Sequence, residues 1–149
     1  AGTYGPDEEA LIADITSRVA RYQAQMDAVE VRKSAAELRA IWAAGNEYLQ
    51  AQAPWTTFKT DPDKAAAQVR LALNLIPLYA TLSAPFIPGA SEKMLSAMNV
   101  APPAWPDDVP AFLGLLAPGH AFDVPEVLFA KISDEDRESW QERFAGKRN

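Results

Sequence analysis

From Leu71 to Ser91 the chain carries no charged side chain, and this stretch limits the possible folds more than any other. Alanine and leucine occupy nearly every side of it, so a helix built here has no face that prefers water and must be covered by other elements. Its length approaches the roughly 20 residues of a membrane-spanning helix. Asn74, Pro77, Thr81, Ser83, Pro85 and Pro88 interrupt it, however, and a buried central helix fits better than a span. Asp61 is the expected N-cap of this helix and Pro62 its first residue, where a missing N–H leaves nothing unpaired. Val69, Leu73, Ile76, Leu78, Tyr79 and Leu82 supply its apolar contacts before Pro85 stops it. Pro77 lies inside and should bend it, because its ring displaces a backbone hydrogen bond.

Two amphipathic helices precede it. Pro6-Asp7-Glu8-Glu9 puts proline and acids in a first helical turn, where acids face the positive end of the helix dipole. Leu11, Ile15, Val19, Tyr22 and Met26 then recur every three or four residues, giving a helix over roughly 6–25. A second helix is expected from about Asp27 to Gln52, with Val31, Ala35, Leu38, Trp42, Gly45 and Leu49 as its apolar seam. Beyond the central helix, a corner at Pro85–Gly89 leads to a short helix over about 90–98, with Met94, Leu95 and Met98 inward. The APPAWPDDVP stretch holds too many prolines for a helix and reads as an extended crossing arm anchored by Trp105. After it, short apolar pieces around Pro118-Gly119 could pair as a small hairpin. Ser133 with Asp134, Glu135 and Asp136 opens a last helix through Trp140 and Phe144, and 146–149 forms a frayed polar end. The expected organisation is a helical bundle over 1–98 and a C-terminal arm over 99–149 that packs back on the bundle and ends in a short helix.

Composition closes off several chemistries. The chain has 149 residues, 48% hydrophobic and 23% charged, which suits one folded domain with one core. There is no cysteine, which excludes disulfides and cysteine-ligated zinc, and His120 is the only histidine. A net charge of -6 argues against a protein that coats DNA or a polybasic membrane binder, while leaving room for a local basic patch. No basic run or apolar core marks a signal peptide at the start. The first residue is alanine rather than methionine, which points either to a fragment of a longer chain or to routine methionine removal. No glycine loop of the phosphate-cradling kind is present, and no nucleophile sits in a recognisable elbow beside His120. No metal site is expected, since Asp134, Glu135 and Asp136 read as a charged helix start.

One stretch remains chemically distinctive. Pro54 forces Ala53 out of the right-handed helical region and delivers Trp55 at a fixed point beyond a helix end. A ring held there is either a plug in the core or a platform for a flat ligand. Unpaired RNA bases stack on such platforms while cations contact the phosphates. Phe58 and Lys59 follow within a turn. Arg32, Arg39 and Asn46 stand seven apart on one side of the second helix, forming either a stripe towards Trp55 or a solvated face paired with Glu30, Glu37 and Glu47.

AAELRAIWAAGNEYLQAQAPWTTFK over 35–59, followed by LSAPFIPGASEKMLSAM over 82–98, resembles the C-terminal anticodon-binding domain of bacterial methionyl-tRNA synthetases. The family pattern matches at Asn46, Tyr48, Ala53-Pro54-Trp55, Lys59, Ser83 to Pro88 and Glu92-Lys93. The later GHAFDVPEVLFAKI resembles the segment near the synthetase C-terminus. The resemblance implies an all-α bundle of the class I synthetase anticodon-binding type that reads the CAU anticodon loop of tRNA(Met). The tryptophan matching Trp55 stacks on an anticodon base in that family, with Pro54 shaping the contact. Lys59, Arg39, Arg32 and Asn46 are the further candidates for RNA contact or for support of the Trp55 loop. The parent enzymes attach methionine to tRNA using ATP and magnesium, in a cytoplasmic catalytic domain that is absent here. The expectation is therefore no catalysis and no cofactor for this chain alone, with the parent's catalytic domain as a partner and no membrane. The alternative is a structural or protein-docking module. Also absent is the family's upstream Gly-Asn-Leu-x-x-Arg helix, whose asparagine and arginine contact the anticodon.

Overall fold

A computed structural model describes residues 3–146 as seven helices joined by turns and extended segments, with no strand among the described residues. Helix α1 spans Pro6–Asp27, α2 Val31–Gln52, α3 Pro54–Thr57, α4 Pro62–Ser83, α5 Pro88–Ala97, α6 Val109–Phe112 and α7 Asp134–Phe144. The fold is all-α, and the 118–119 turn is flanked by irregular chain rather than a hairpin. Positions 147–149 of the expected frayed end lie outside the described residues.

Helix α4 forms the centre. Leu71, Leu78, Ala80 and Leu82 are wholly buried, so the uncharged stretch is covered by protein as its composition requires. By length and hydropathy α4 could cross a membrane, yet 56% of its apolar window is buried inside the bundle, as in a core helix. The helix continues through Pro77. At its start Asp61 accepts a hydrogen bond from the Lys64 N–H at 2.9 Å, the cap that its position before Pro62 calls for.

Helices α1 and α2 pair against each other and against this centre. The α1 stripe is the one its spacing predicts: Leu11, Ile15, Val19 and Tyr22 are buried. On α2 the buried seam is Ser34, Leu38, Ile41, Gly45 and Tyr48, which differs from the expected one. Val31 is exposed, while Trp42 and Leu49 are only partly buried. The helix has more apolar surface than one seam needs, and a surplus face is left over. Gly45 is there because a Cβ at that position would lie 1.8 Å from the Tyr79 hydroxyl, so α2 and α4 approach only over a bare backbone.

One polar link between helix ends escaped the sequence reading. Glu8, in the first turn of α1, accepts from the Gly5 N–H at 2.8 Å with one oxygen. Its other oxygen accepts from the buried Tyr48 hydroxyl. Burial first, and the adjacent Glu8 carboxylate second, hold the Tyr48 phenol far above the usual tyrosine range. An acid in a first helical turn looks like a dipole partner in the sequence; only the tertiary fold reveals it as the acceptor for a tyrosine 40 residues away.

The chain after α5 divides in two. Through Leu116 it is held down: Trp105 is anchored on α1, and Val109, Leu113 and Leu116 are buried. Asn74 fixes the end of this part by accepting from the Leu116 N–H at 2.8 Å. A short helical turn, α6, interrupts the arm because Asp108 caps it, accepting from the Ala111 N–H at 3.0 Å. From Ala121 to Gly146 every side chain is exposed except that of Leu128, and α7 has no buried residue.

Candidate nucleic-acid interface

Trp55 stands in the open, 56% exposed, on a support that is fixed on all sides. Ala53 takes the left-handed conformation, with φ 42° and ψ 63°, which ends α2 and turns the chain. Its carbonyl accepts from the N–H groups of both Thr56 and Thr57, at 2.8 and 3.1 Å, so α3 begins at once. The Thr57 hydroxyl ties back to the Gln52 carbonyl at 2.9 Å, and Gln52 Oε1 accepts from Gln68 of α4 at 3.2 Å. Pro54 is buried beneath the turn. The ring is therefore not a plug in the core, which was one of the two readings open for it.

The remaining candidates fall into two groups. Lys59 is exposed and follows directly on the Trp55 turn, its N–H bonded to the Thr56 carbonyl at 3.1 Å. Arg32, Arg39 and Asn46 are exposed on α2. Glu37 is held instead by Arg18 and Arg21, at 3.2 and 3.1 Å, and Glu30 by Lys33 at 2.7 Å. Arg32 and Arg39 form no ion pair among the described residues; two of the three acids expected to neutralise the stripe, Glu30 and Glu37, are used elsewhere, and Glu47 forms no ion pair among the described residues either. At about 1.5 Å per residue, Arg32 is about 21 Å along the axis from Asn46. Arg32 and Trp55 therefore cannot touch the same nucleotide.

Around the platform α4 shows an uncovered apolar strip. Trp55, Phe58, Pro62 and Val69 border a groove of about 490 Å³. A second groove of about 400 Å³ runs between α2 and α4, bordered by Trp42, Asn46, Leu49, Leu73 and Tyr79. Val69, 42% exposed, belongs to both. The Tyr79 hydroxyl is buried beside the second groove with no hydrogen-bond partner among the described residues. Burial raises the pKa of this phenol, which keeps it neutral. The surplus apolar face of α2 thus has a counterpart on α4, and nothing among the described residues fills the space between them.

His120 does not assemble a catalytic group. Its Nε2 donates to the Met98 carbonyl at 2.6 Å, a structural link from the loop to the end of α5. No group of three His, Cys, Asp or Glu side chains among the described residues could hold a metal ion.

The family described as the anticodon binding domain of methionyl tRNA ligase matches residues 1–149. A methionine–tRNA ligase of Ruegeria pomeroyi is 70% identical over 148 residues, covering 99% of this chain and 26% of the relative. One from Paracoccus denitrificans is 69% identical over 147 residues, with the same shares covered. The free-state methionyl-tRNA synthetase of Mycobacterium tuberculosis shares the fold, with a TM-score of 0.73 at 21% identity over 89% of this chain and 27% of that one. The chain thus spans about a quarter of the length of the curated relatives it matches. With all of its residues matched, and with an all-α bundle presenting a rigid exposed tryptophan, this chain belongs to the anticodon-binding domain family of methionyl-tRNA ligases.

Proposed function

We propose that this chain reads the CAU anticodon of methionine tRNA by stacking an unpaired loop base on Trp55, as part of a longer cytoplasmic ligase that attaches methionine to that tRNA. The observation that carries this reading is the exposed ring of Trp55 on the locked Ala53–Thr57 turn. A platform that is already rigid loses little freedom on binding, so most of the stacking energy is available as affinity. Lys59 meets a phosphate beside the stacked base. Arg39 and Arg32 meet backbone further along the strand, and Asn46 supports the rim of the α2–α4 groove.

ATP and magnesium belong to the catalytic half of the longer protein, and no step here runs through them. The open α2–α4 groove and the Tyr79 hydroxyl, which has no hydrogen-bond partner among the described residues, support a further helix there, the place of the family's Asn- and Arg-bearing helix. The exposed apolar side chains of the arm, among them Phe122, Phe129 and Ile132, support docking on the catalytic domain. The same exposure favours the second reading, a docking module with no RNA binding of its own.

Titration with a methionine-tRNA anticodon stem-loop, beside one of scrambled anticodon and across a salt series, separates the two. Anticodon reading requires selective binding that Trp55→Ala weakens by about 1–3 kcal/mol. Binding that is equal for both loops and vanishes with salt is phosphate attraction alone, and leaves the docking reading standing.

A further inference from the structure

Phe58 is an expensive side chain to leave where it is. It is 65% exposed, although its backbone is well fixed: its N–H donates to the Pro54 carbonyl at 2.9 Å, and φ and ψ are -54° and -29°. The ring is therefore displayed by ordered structure. It stands three residues after Trp55, so the two side chains project from neighbouring positions of one helical turn. Both border the groove of about 490 Å³, whose floor includes the small side chains of Ala65 and Ala66. No stacked pair forms between Trp55 and Phe58, and the stacked aromatic pair among the described residues is Tyr22–Trp105. Each ring keeps a free face.

The charges around this groove suit a nucleic-acid strand better than an apolar protein segment. Lys59 follows Phe58 in sequence, and Lys64 precedes Ala65; both are exposed, and neither forms an ion pair among the described residues. The acids on the same rim are Asp61 and Asp63. Asp61 is turned into the α4 N-terminus as its cap, which leaves Asp63 against two lysines. An apolar groove bordered by two aromatic rings on neighbouring positions, with an unpaired lysine next in sequence to two of its lining residues, Phe58 and Ala65, matches the needs of splayed bases with their phosphates close by.

We propose that Phe58 is a second base-stacking residue: the groove beside Trp55 takes a second unpaired base of the same RNA loop against the Phe58 ring. This rests on the anticodon-reading function proposed above and adds a residue to it. A second stacked base gives the loop two points of aromatic contact, which fixes its direction across the surface as well as its position.

The test uses the 149-residue chain and anticodon stem-loops in which each loop nucleotide in turn is 2-aminopurine, whose fluorescence reports stacking. Two loop positions should respond on binding. Phe58→Ala should abolish one response and weaken binding about 5- to 150-fold, while Trp55→Ala abolishes the other. Phe58→Tyr should bind as the parent chain does. Phe58→Leu, which keeps apolar bulk without a π-face, should behave like Phe58→Ala, and thermal melts should show all three variants folded. If Phe58→Ala binds like the parent chain while Trp55→Ala does not, Phe58 has no such role and the reading of Trp55 stands. If Phe58→Leu binds like the parent chain, the contact is merely apolar and base stacking at Phe58 is wrong. If the unsubstituted chain shows no saturable, anticodon-selective binding, the anticodon reading fails and this proposal fails with it.

Discussion

Trp55 and Trp105 look alike in sequence: each lies next to a proline, outside the long helices, in a stretch without helical periodicity. Their fates are opposite. Trp105 stacks on Tyr22 with ring centroids 6.0 Å apart and an interplanar angle of 17°, and its indole N–H donates to Gln23 at 3.1 Å. Trp55 has a rigid perch and neither a stacked aromatic ring nor a side-chain hydrogen-bond partner among the described residues. Tryptophan has one large apolar body and one donor, so it is satisfied inside a protein only where both find company. The first helix supplies that company to the arm through consecutive residues, Tyr22 and Gln23. Nothing equivalent faces the Trp55 turn, and a ring that the fold supports but does not use is available to a ligand.

The sharpest way to break this comparison is to remove each ring in turn. Trp105→Ala should lower the unfolding free energy by about 3 kcal/mol, the low end of the range for tryptophan truncation because the ring is half-buried. Chemical denaturation measures it. A loss below about 1 kcal/mol would mean that the arm is not anchored by this residue and that the contrast between the two tryptophans is illusory.

Tyr48 tests the same principle where the aromatic partner is a charge. Tyr48→Phe strands one oxygen of the buried Glu8 and should cost about 1–3 kcal/mol near neutral pH. The pH dependence sharpens this. In the unfolded chain a tyrosine ionises near pH 10. In the folded chain burial and Glu8 hold Tyr48 well above that value. A raised folded pKa means that the stabilisation is complete below about pH 10 and is lost above it, by about 1.4 kcal/mol per pH unit for each such tyrosine. Tyr22 and Tyr79 are also raised by burial, so Tyr48→Phe should remove one share of the slope and leave theirs. An unchanged slope between pH 10 and 11 would show that the Tyr48 hydroxyl is not sequestered.

Trp55→Ala should change stability by no more than about 0.5 kcal/mol, as for a surface substitution. A loss of several kcal/mol, read by thermal melting, would return the ring to the core and remove the platform.

How much of this was legible beforehand depends on how local the cause is. The α1 stripe, the Asp61 and Ser133 caps and the turn at Ala53 follow from spacing and from proline, which act within a few residues. For Trp55 the sequence leaves a choice between core and surface, and only the tertiary fold shows that the ring is exposed. The α2 seam was misplaced because that helix has apolar residues on two sides, so periodicity alone could not say which side α1 and α4 cover. Glu8 was missed for the same kind of reason: nothing within four residues of it announces Tyr48. The short helix α6 did leave a signal, the Asp108 cap ahead of Pro110, that the density of prolines obscured.

The smallest expected effect falls on α7. Its Ser133 cap is complete, with the Asp136 N–H donating to the Ser133 hydroxyl at 3.0 Å, and Arg137 pairs with Asp134 at 3.2 Å. Local signals thus specify this helix fully, yet it buries no residue, and its apolar residues Trp140 and Phe144 are exposed. It has 11 residues. Isolated helices shorter than about 12–15 residues are marginal in water, so capping alone cannot hold it. Ending the chain at Phe129 should therefore leave the thermal midpoint of the bundle unchanged, because no buried area is lost. A fall of about 4–8 °C would correspond to about 1 kcal/mol and would mean that α7 packs on the bundle. An unchanged midpoint places Trp140 and Phe144 with Trp55, as rings whose partners lie outside this chain. The three need not share one partner. Trp55 sits on a turn locked by hydrogen bonds, which is what the stacking proposed for it needs. The α7 pair sits on a helix that needs a surface to stabilise it, which is what the docking proposed for the arm would supply.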